Sequence, residues 1–339
     1  MNMSVRFPNL GIDFSYIGRS VNVFGFEITY YGMLIALGML LGLLLIVLDV
    51  KRQHENLNLY IKMLIVSIIG AIVGARLLYV IFYWNLFDGN IQSLFQIRNG
   101  GLSFYGALFG GCLTARVYCA CKKTSFWKKA DSVSIGLTVG QIIGRWGDFF
   151  NRESFGQYTE TIFAMRLPLA SVRSSEVTSV MREKLAVIDG VSYIQAHPIF
   201  LYESIWCLVL LLILLWYKRR KKFHGEIFMR YLSGYGLGKF FLEWLKTEKV
   251  FFPGTKISFS MLISAILFVI FGLTAVLERS VAKKREKIRK SRREAFYARE
   301  QEAARKSEDS DQIFEMEIES EDSKQERLAE ESESQSEIG

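Results

Sequence analysis

The chain has 339 residues, half of them hydrophobic and 14% aromatic, with four prolines and a formal net charge of +8. The apolar residues are bunched rather than periodic, which excludes an ordinary soluble protein and predicts a membrane protein. The positive charge lies in short runs between apolar segments, without the folded basic face that binding to nucleic acid would require. The four cysteines lie in or beside apolar segments with no histidine at ligand spacing, so we expect free thiols and no metal site.

Seven segments are candidates for membrane-spanning helices. Three are clear, because each is close to the roughly 20 residues that cross about 30 Å of hydrocarbon: residues 30–48, 63–84 and 257–276. Four are shorter or contain charges: residues 101–115, 132–147, 199–217 and 227–245. The sequence therefore predicts an all-α, polytopic integral membrane protein with about seven transmembrane helices, and six spans is the alternative.

The distribution of lysine and arginine predicts the orientation. Basic clusters at residues 51–54, 121–129, 218–222 and 283–293 alternate with less basic segments. Under the positive-inside rule the basic sides are cytoplasmic, which places the N-terminus outside and the C-terminus in the cytoplasm. That arrangement requires an odd number of spans, in agreement with seven.

The end of the chain has a different composition. Residues 283–305 are basic, and the residues that follow are acidic and poor in aromatics. Such a segment cannot bury enough apolar surface to fold alone. We therefore predict a transmembrane domain at residues 1–280 and a charged, disordered cytoplasmic tail at residues 281–339.

The polar residues of the predicted spans fall at one depth. An ionisable group inside a bilayer costs several kcal/mol unless it is paired, so each one is a candidate functional residue. The predicted topology places all of them in the outer half of the membrane: Tyr31, Arg76, Tyr105, Arg145, Glu203, Tyr235, Lys239, Glu243 and Lys246, with His197 just before the fifth span. Two or three cations at one level would hold a phosphate, most simply that of a lipid head group. The alternative is that these groups form structural ion pairs at helix ends.

The stretch "GRWGDFFNRESFG" (residues 144–156) resembles the signature of the prolipoprotein diacylglyceryl transferase family, usually written G-R-x-G-N-F-x-N-x-E-x-x-G. The resemblance covers roughly residues 15–275 and excludes the tail. It extends to further segments in the family's order: "YYGML", "GARLLYVIFY", "NGGLSFYGALFGG", "HPIFLYES" and "YGLGKFFLEWLK".

The resemblance implies an activity without a cofactor. Members of this family transfer the diacylglyceryl group of phosphatidylglycerol to the lipobox cysteine thiol of prolipoproteins, which forms a thioether and releases glycerol phosphate. The expected location is the bacterial plasma membrane, with the site toward the outer leaflet. The expected partners are therefore phosphatidylglycerol, prolipoproteins and the lipid bilayer.

The resemblance also implies roles for individual residues. Arg145 matches the arginine that binds the lipid phosphate, and we expect Arg76, Lys239 and Gly156 to complete the phosphatidylglycerol site. The residues expected to contribute to catalysis are Tyr31, Tyr105, Asn151, Glu153, Tyr235 and Glu243.

Several positions depart from the family pattern. Asp148 stands where the signature has asparagine, and could pair with Arg145 one helical turn away. Lys239 and Lys246 stand where many members have arginine, which keeps the charge but loses the two-pronged hydrogen bond. Tyr105 occupies the place of a histidine proposed as the base in some members, and Phe200 replaces a polar residue.

Two other classes of protein remain as alternatives. One is a divergent, non-catalytic lipid-binding membrane protein, in which the phosphate site has lost its chemistry. The other is a transporter, which would place polar residues along a whole pathway and show internal repeats with broken helices. Neither of these transporter features is clear in the sequence.

Overall fold

The computed structural model describes residues 4–84, 101–247, 249 and 258–336. The less basic segment 85–100 and the first residue of the predicted span 257–276 lie outside these described residues. The chain divides into two compact units, Met1–Arg279 and Ser280–Gly339.

The described residues form eight helices: α1 (Tyr30–Arg52), α2 (Leu57–Phe82), α3 (Phe104–Cys121), α4 (Phe126–Asn151), α5 (Ser179–Glu183), α6 (Ile199–Lys218), α7 (Glu226–Leu245) and α8 (Phe259–Ser336). A helix overlaps each of the seven segments predicted to span a membrane. Within the part of the chain that the structure describes, four helical stretches could cross a bilayer by length and apolar composition: α1, α2, α6 and the first part of α8, Phe259–Glu302. The prediction of a mostly helical membrane protein is confirmed.

Four of these helices begin at residues that the sequence supplies as caps. Thr29, Asn56, Ser103 and Ser125 precede α1 to α4 respectively, and each side-chain oxygen accepts a hydrogen bond from a backbone N–H of the first turn. Such caps satisfy donors that the helix itself cannot pair.

The first four helices associate as two pairs, α1 with α4 and α2 with α3. Glycines allow the backbones within each pair to approach closely. A Cβ atom at Gly42 would lie 2.6 Å from the carbonyl oxygen of Gly136, and one at Gly106 would lie 2.4 Å from that of Gly74. Small residues at these crossings are typical of helices packed in membranes. On the other side of α4, α6 packs against both α4 and α7.

A five-stranded antiparallel sheet covers one end of the helices, in the order β2-β1-β5-β7-β6. Its strands are β1 (Val5–Phe7), β2 (Ile12–Phe14), β5 (Met165–Pro168), β6 (Ala186–Ile188) and β7 (Val191–Ala196); β3 (Ser20–Val23) and β4 (Phe26–Thr29) form a separate hairpin before α1. The all-α prediction missed these elements. Strands of three to six residues lack the long apolar run that identifies a membrane helix.

The sheet is joined to the helices by a common apolar core. Leu167 and Ile194, both fully buried, pack in one cluster with Phe149 of α4 and Phe200 of α6. This end of the helices is called the sheet end below.

The opposite end contains a second set of buried charges. This end, which contains Arg230 and Arg279, is called the basic end below. Glu226 begins α7 here and is fully buried. Its carboxylate accepts a hydrogen bond from the Tyr217 hydroxyl, one of 2.6 Å from the Lys222 backbone and one of 2.8 Å from Arg279, and it pairs with Arg230 at 3.4 Å.

The charged tail differs from its prediction. The sequence predicts disorder over residues 281–339, whereas in the described part of the tail the backbone of α8 is helical to Ser336. The segment has no proline or glycine and is rich in glutamate, lysine, arginine and alanine, which favour helix even when no apolar face is available for packing. The domain boundary near residue 280 stays a prediction.

Candidate active site

An apolar cleft of about 700 Å³ separates the two helix pairs. Aliphatic side chains and glycines of α1, α2 and α4 line most of it, together with Phe104 of α3. Its polar lining residues are Tyr31, Gln141, Arg145 and Asp148, of which three lie at the sheet end. The cleft is therefore apolar along its length and carries a cation at one end.

Arg145 is held in place by a buried carboxylate. Its Nε lies 2.5 Å from Oε2 of Glu203, a side chain that is 5% exposed and lies one turn into α6. Its Nη1 lies 3.2 Å from Oδ2 of Asp148, one turn further along α4. Arg145 and Asp148 both line the cleft, so an anion bound in the cleft would meet the guanidinium at its polar end.

Glu203 also holds two lysines. Its Oε1 lies 2.8 Å from Nζ of Lys239 in α7 and 3.3 Å from Nζ of Lys246 at the end of that helix. One carboxylate thus gathers three cations from two helices. Such a concentration of positive charge in an apolar setting favours the binding of an anion.

Two aromatic residues complete the surroundings of Arg145. Tyr235, one turn before Lys239 in α7, interacts electrostatically with both Arg145 and Glu203, and its ring stacks on that of Tyr231. Tyr31, in the first turn of α1, packs so closely on Gly147 that a Cβ there would lie 2.6 Å from its ring. The predicted residues Tyr31, Arg145, Tyr235 and Lys239 are therefore brought together.

Arg76 and Tyr105 lie on the other helix pair. The Nη1 of Arg76 donates a hydrogen bond of 2.9 Å to the carbonyl oxygen of Gly101, and its guanidinium lies over the Tyr79 ring. Tyr105, in the first turn of α3, packs edge-on against Phe259 of α8 with ring centroids 5.1 Å apart. These contacts assign neither residue to the Arg145 cluster, so their roles in phosphate binding and proton transfer stay predictions.

The residues at the end of the signature stretch are not among the described residues that line the cleft. Asn151 is the last residue of α4 and is half-buried, whereas Glu153 pairs with Arg173 at 2.8 Å. The Gly156 backbone donates to the His197 carbonyl, and a Cβ on Gly156 would lie 2.8 Å from both His197 and Leu245. Gly156 therefore permits a close crossing of three segments, and its predicted contact with lipid stays a prediction.

Glu243 lies in a second, polar cavity of about 130 Å³ near the sheet end. The cavity is lined by Ser154, Phe155, Glu176, Glu243, Lys246, Thr247 and Ser260. Lys246 is common to this cavity and to the Glu203 cluster, so the two polar regions adjoin.

Sequence reasoning did not assign a role to Glu203 or Glu176. Glu203 was recognised as a carboxylate at the start of an apolar span, and its isolation among Phe, Leu, Ile and Trp could have marked it as the partner of the cations. Glu176 lies between the predicted spans 132–147 and 199–217, where nothing in the pattern distinguishes it from a surface glutamate.

The fold and site define a membrane protein in which an apolar cleft ends at a half-buried, ion-paired arginine. The model of the prolipoprotein diacylglyceryl transferase family matches residues 20–277. The chain belongs to this family.

Curated relatives carry the name phosphatidylglycerol–prolipoprotein diacylglyceryl transferase. The relative from Clostridioides difficile (strain 630) is 34% identical over 67% of this chain and 82% of its own length. That from Listeria innocua is 32% identical over 77% of this chain and 89% of its own, and that from Finegoldia magna is 34% identical over 73% and 90%.

Proposed function

We propose that this protein is a transferase that moves the diacylglyceryl group of phosphatidylglycerol to the lipobox cysteine thiol of a prolipoprotein. The observation that carries the proposal is the position of Arg145. It lines the polar end of an apolar cleft, with its Nε held by Glu203. Acyl chains would occupy the aliphatic part of the cleft, with the lipid phosphate at the guanidinium.

The proposed orientation follows the charge distribution. The seven long helices would all span the bacterial plasma membrane, with the N-terminus outside and the C-terminus in the cytoplasm. The sheet end would then face outward, and Arg145 would lie at the level of the outer leaflet. Substrates that reach the outer leaflet would meet the site there.

The reaction replaces one bond to carbon by another. The cysteine thiolate attacks the lipid glycerol carbon that bears the phosphate ester, a C–S bond forms, and the C–O bond breaks. The electron pair leaves with glycerol phosphate, and the thiol proton passes to a base. Arg145, supported by Lys239, would stabilise the charge that develops on the phosphate oxygen. Tyr31, Asn151 and Glu153 would orient the lipid head group, and Tyr235, Glu243 or Tyr105 would assist proton transfer.

Purified protein in detergent tests this proposal with labelled phosphatidylglycerol and a peptide that contains a lipobox cysteine. The expected result is a thioether-linked peptide and released glycerol phosphate in equal amounts. A peptide with serine in place of the cysteine is the matched control, since its hydroxyl is a far weaker nucleophile.

One observation favours a second candidate, a lipid-binding protein without chemistry. The Oδ2 atom of Asp148 lies 3.2 Å from Nη1 of Arg145 and accepts a hydrogen bond from it. The family signature has a neutral asparagine at this position. Protein that binds phosphatidylglycerol but yields no thioether would support this candidate and contradict the transferase.

A further inference from the structure

The helix that contains the last apolar span continues into a strongly basic segment. Residues 283–293, called the juxtamembrane segment below, contain eight lysines and arginines against one glutamate, which gives a formal net charge of +7. All of its side chains are exposed. The match to the family ends at residue 277, so the segment lies beyond it. Its charge is therefore a property of this chain rather than of the part that matches the family.

The cations of the juxtamembrane segment are not confined to one face of the helix. Because an α-helix turns about 100° per residue, the side chains of Lys283, Lys284, Arg285 and Arg293 are spread around its whole circumference. A helix that docks in a groove of a partner protein normally concentrates its contact residues on one face. Positive charge on every side instead suits a fluid layer of anionic groups.

Large apolar side chains accompany the cations. Ile288 lies within the juxtamembrane segment, Phe296 and Tyr297 follow it, and each is more than half exposed. Apolar side chains beside lysine and arginine are typical of segments that lie in a membrane interface, where the apolar groups enter the boundary and the cations reach the head groups. A nucleic acid would bind the cations but would offer no apolar medium to Ile288. The combination therefore favours a membrane surface.

The position of the segment in the chain keeps it close to such a surface. The apolar run of α8 ends at Leu277 and Lys283 follows six residues later, which is at most roughly 9 Å along a helix. The segment itself rises about 15 Å, a length comparable to a head-group layer of about 5–8 Å plus a Debye length of about 8 Å. Cations within this distance of an anionic leaflet are attracted to it.

We infer that the juxtamembrane segment binds the anionic head groups of the leaflet at which the last span ends. In the proposed orientation this is the cytoplasmic leaflet. Recognition is by net charge, so different anionic phospholipids serve equally. Binding stabilises a helical segment whose exposed side chains contribute little packing of their own. The inference does not depend on the proposed transferase activity.

Hydrogen exchange of the full chain in lipid nanodiscs tests the inference. Exchange of the amides of residues 283–293 is compared between discs of phosphatidylcholine and discs that also contain phosphatidylserine or phosphatidylglycerol. In either anionic disc exchange should be at least about tenfold slower at low salt, as expected when two or more cations lie at the surface. The difference should disappear at about 1 M salt, where the Debye length falls to about 3 Å. The acidic end of the same tail is an internal control, since its exchange should not slow in anionic discs.

Two matched variants separate charge from other effects of the sequence. Replacement of Lys283, Lys284, Lys287 and Lys290 together by glutamine removes four charges and keeps side chains that favour helix. This variant should lose most of the protection by anionic lipid. Replacement of the same four lysines by arginine keeps the charge and should retain the protection.

Three outcomes would overturn the inference. The first is equal exchange in neutral and anionic discs, and the second is protection that the glutamine variant retains in full. The third is protection by RNA added to neutral discs that exceeds the protection by anionic lipid, which would assign the segment to a nucleic acid instead.

Discussion

Each end of the helices contains a buried glutamate that binds several donors. Comparison of the two ends distinguishes a candidate binding site from a cluster that joins helices. Glu203 at the sheet end holds Arg145, Lys239 and Lys246. Glu226 at the basic end holds Arg230 and Arg279 and also accepts from a tyrosine and a backbone N–H.

The difference lies in the surroundings of the cations. Arg145 and Lys246 each line a cavity, so the positive charge gathered by Glu203 is open to a ligand. Glu226 is fully buried, its partners come from α6, α7, α8 and the α6–α7 turn, and Arg230 and Arg279 lie over the Tyr217 ring. A buried ion-pair cluster is thus a candidate binding site when open space adjoins it, and otherwise serves to join helices.

The largest expected effect is from loss of the arginine at the cleft. Arg145→Ala should reduce kcat/KM for phosphatidylglycerol at least 100-fold, because a charge-stabilising donor is removed from the reacting phosphate. Arg279→Ala removes an arginine from the other cluster and is the matched control. Its transfer rate per folded molecule should match the wild type, and a similar loss in both variants would remove the distinction between the two ends.

For stability, in contrast to activity, the larger effect is expected at the basic end. Glu226→Gln should lower the free energy of unfolding by up to about 3 kcal/mol, since it leaves two half-buried arginines without their carboxylate. Thermal unfolding in detergent measures the change, and activity assayed well below the midpoint should persist. Persistence of the wild-type midpoint would show that Glu226 does not join the helices.

A smaller, opposite effect is expected at Asp148. Asp148→Asn removes a negative charge 3.2 Å from Arg145 and restores the residue of the family signature. The affinity for phosphatidylglycerol should rise severalfold, because phosphate no longer competes with a carboxylate. Asp148→Ala separates charge from hydrogen bonding: it should also tighten binding but lose any help that an amide gives to transfer. Weaker lipid binding by both variants would contradict the competition.

The sequence predicted the helices of this protein far better than its sheet. Long apolar runs are strong signals, and the spacing of Tyr235, Lys239 and Glu243 on one helical face placed them in neighbouring polar regions. Two features depend on segments distant in sequence and could not be read from local patterns. One is the pairing of β1 with β5, which brings residues 6 and 166 together. The other is the pairing of Glu203 with cations from both α4 and α7.

The smallest expected effect is a dependence of stability on pH at the sheet end. His197 lies between β7 and α6, and burial lowers the pKa of its imidazole below the ordinary value of 6.5. The folded state therefore favours neutral imidazole, while the unfolded chain binds a proton as the pH falls through 6.5. Stability attributable to His197 is unaffected above that range and decreases below it.

His197→Gln should flatten this decrease, with a difference in unfolding midpoint of no more than about 2 °C between pH 7.5 and 5.5. Partial exposure of the ring limits the effect, because water reaches the charged form. His54→Gln, in the turn after α1 at the basic end, controls for the loss of a histidine elsewhere. If His197→Gln retained the full wild-type pH dependence, acid sensitivity would have to come from the carboxylates of the two clusters rather than from the junction of sheet and helix.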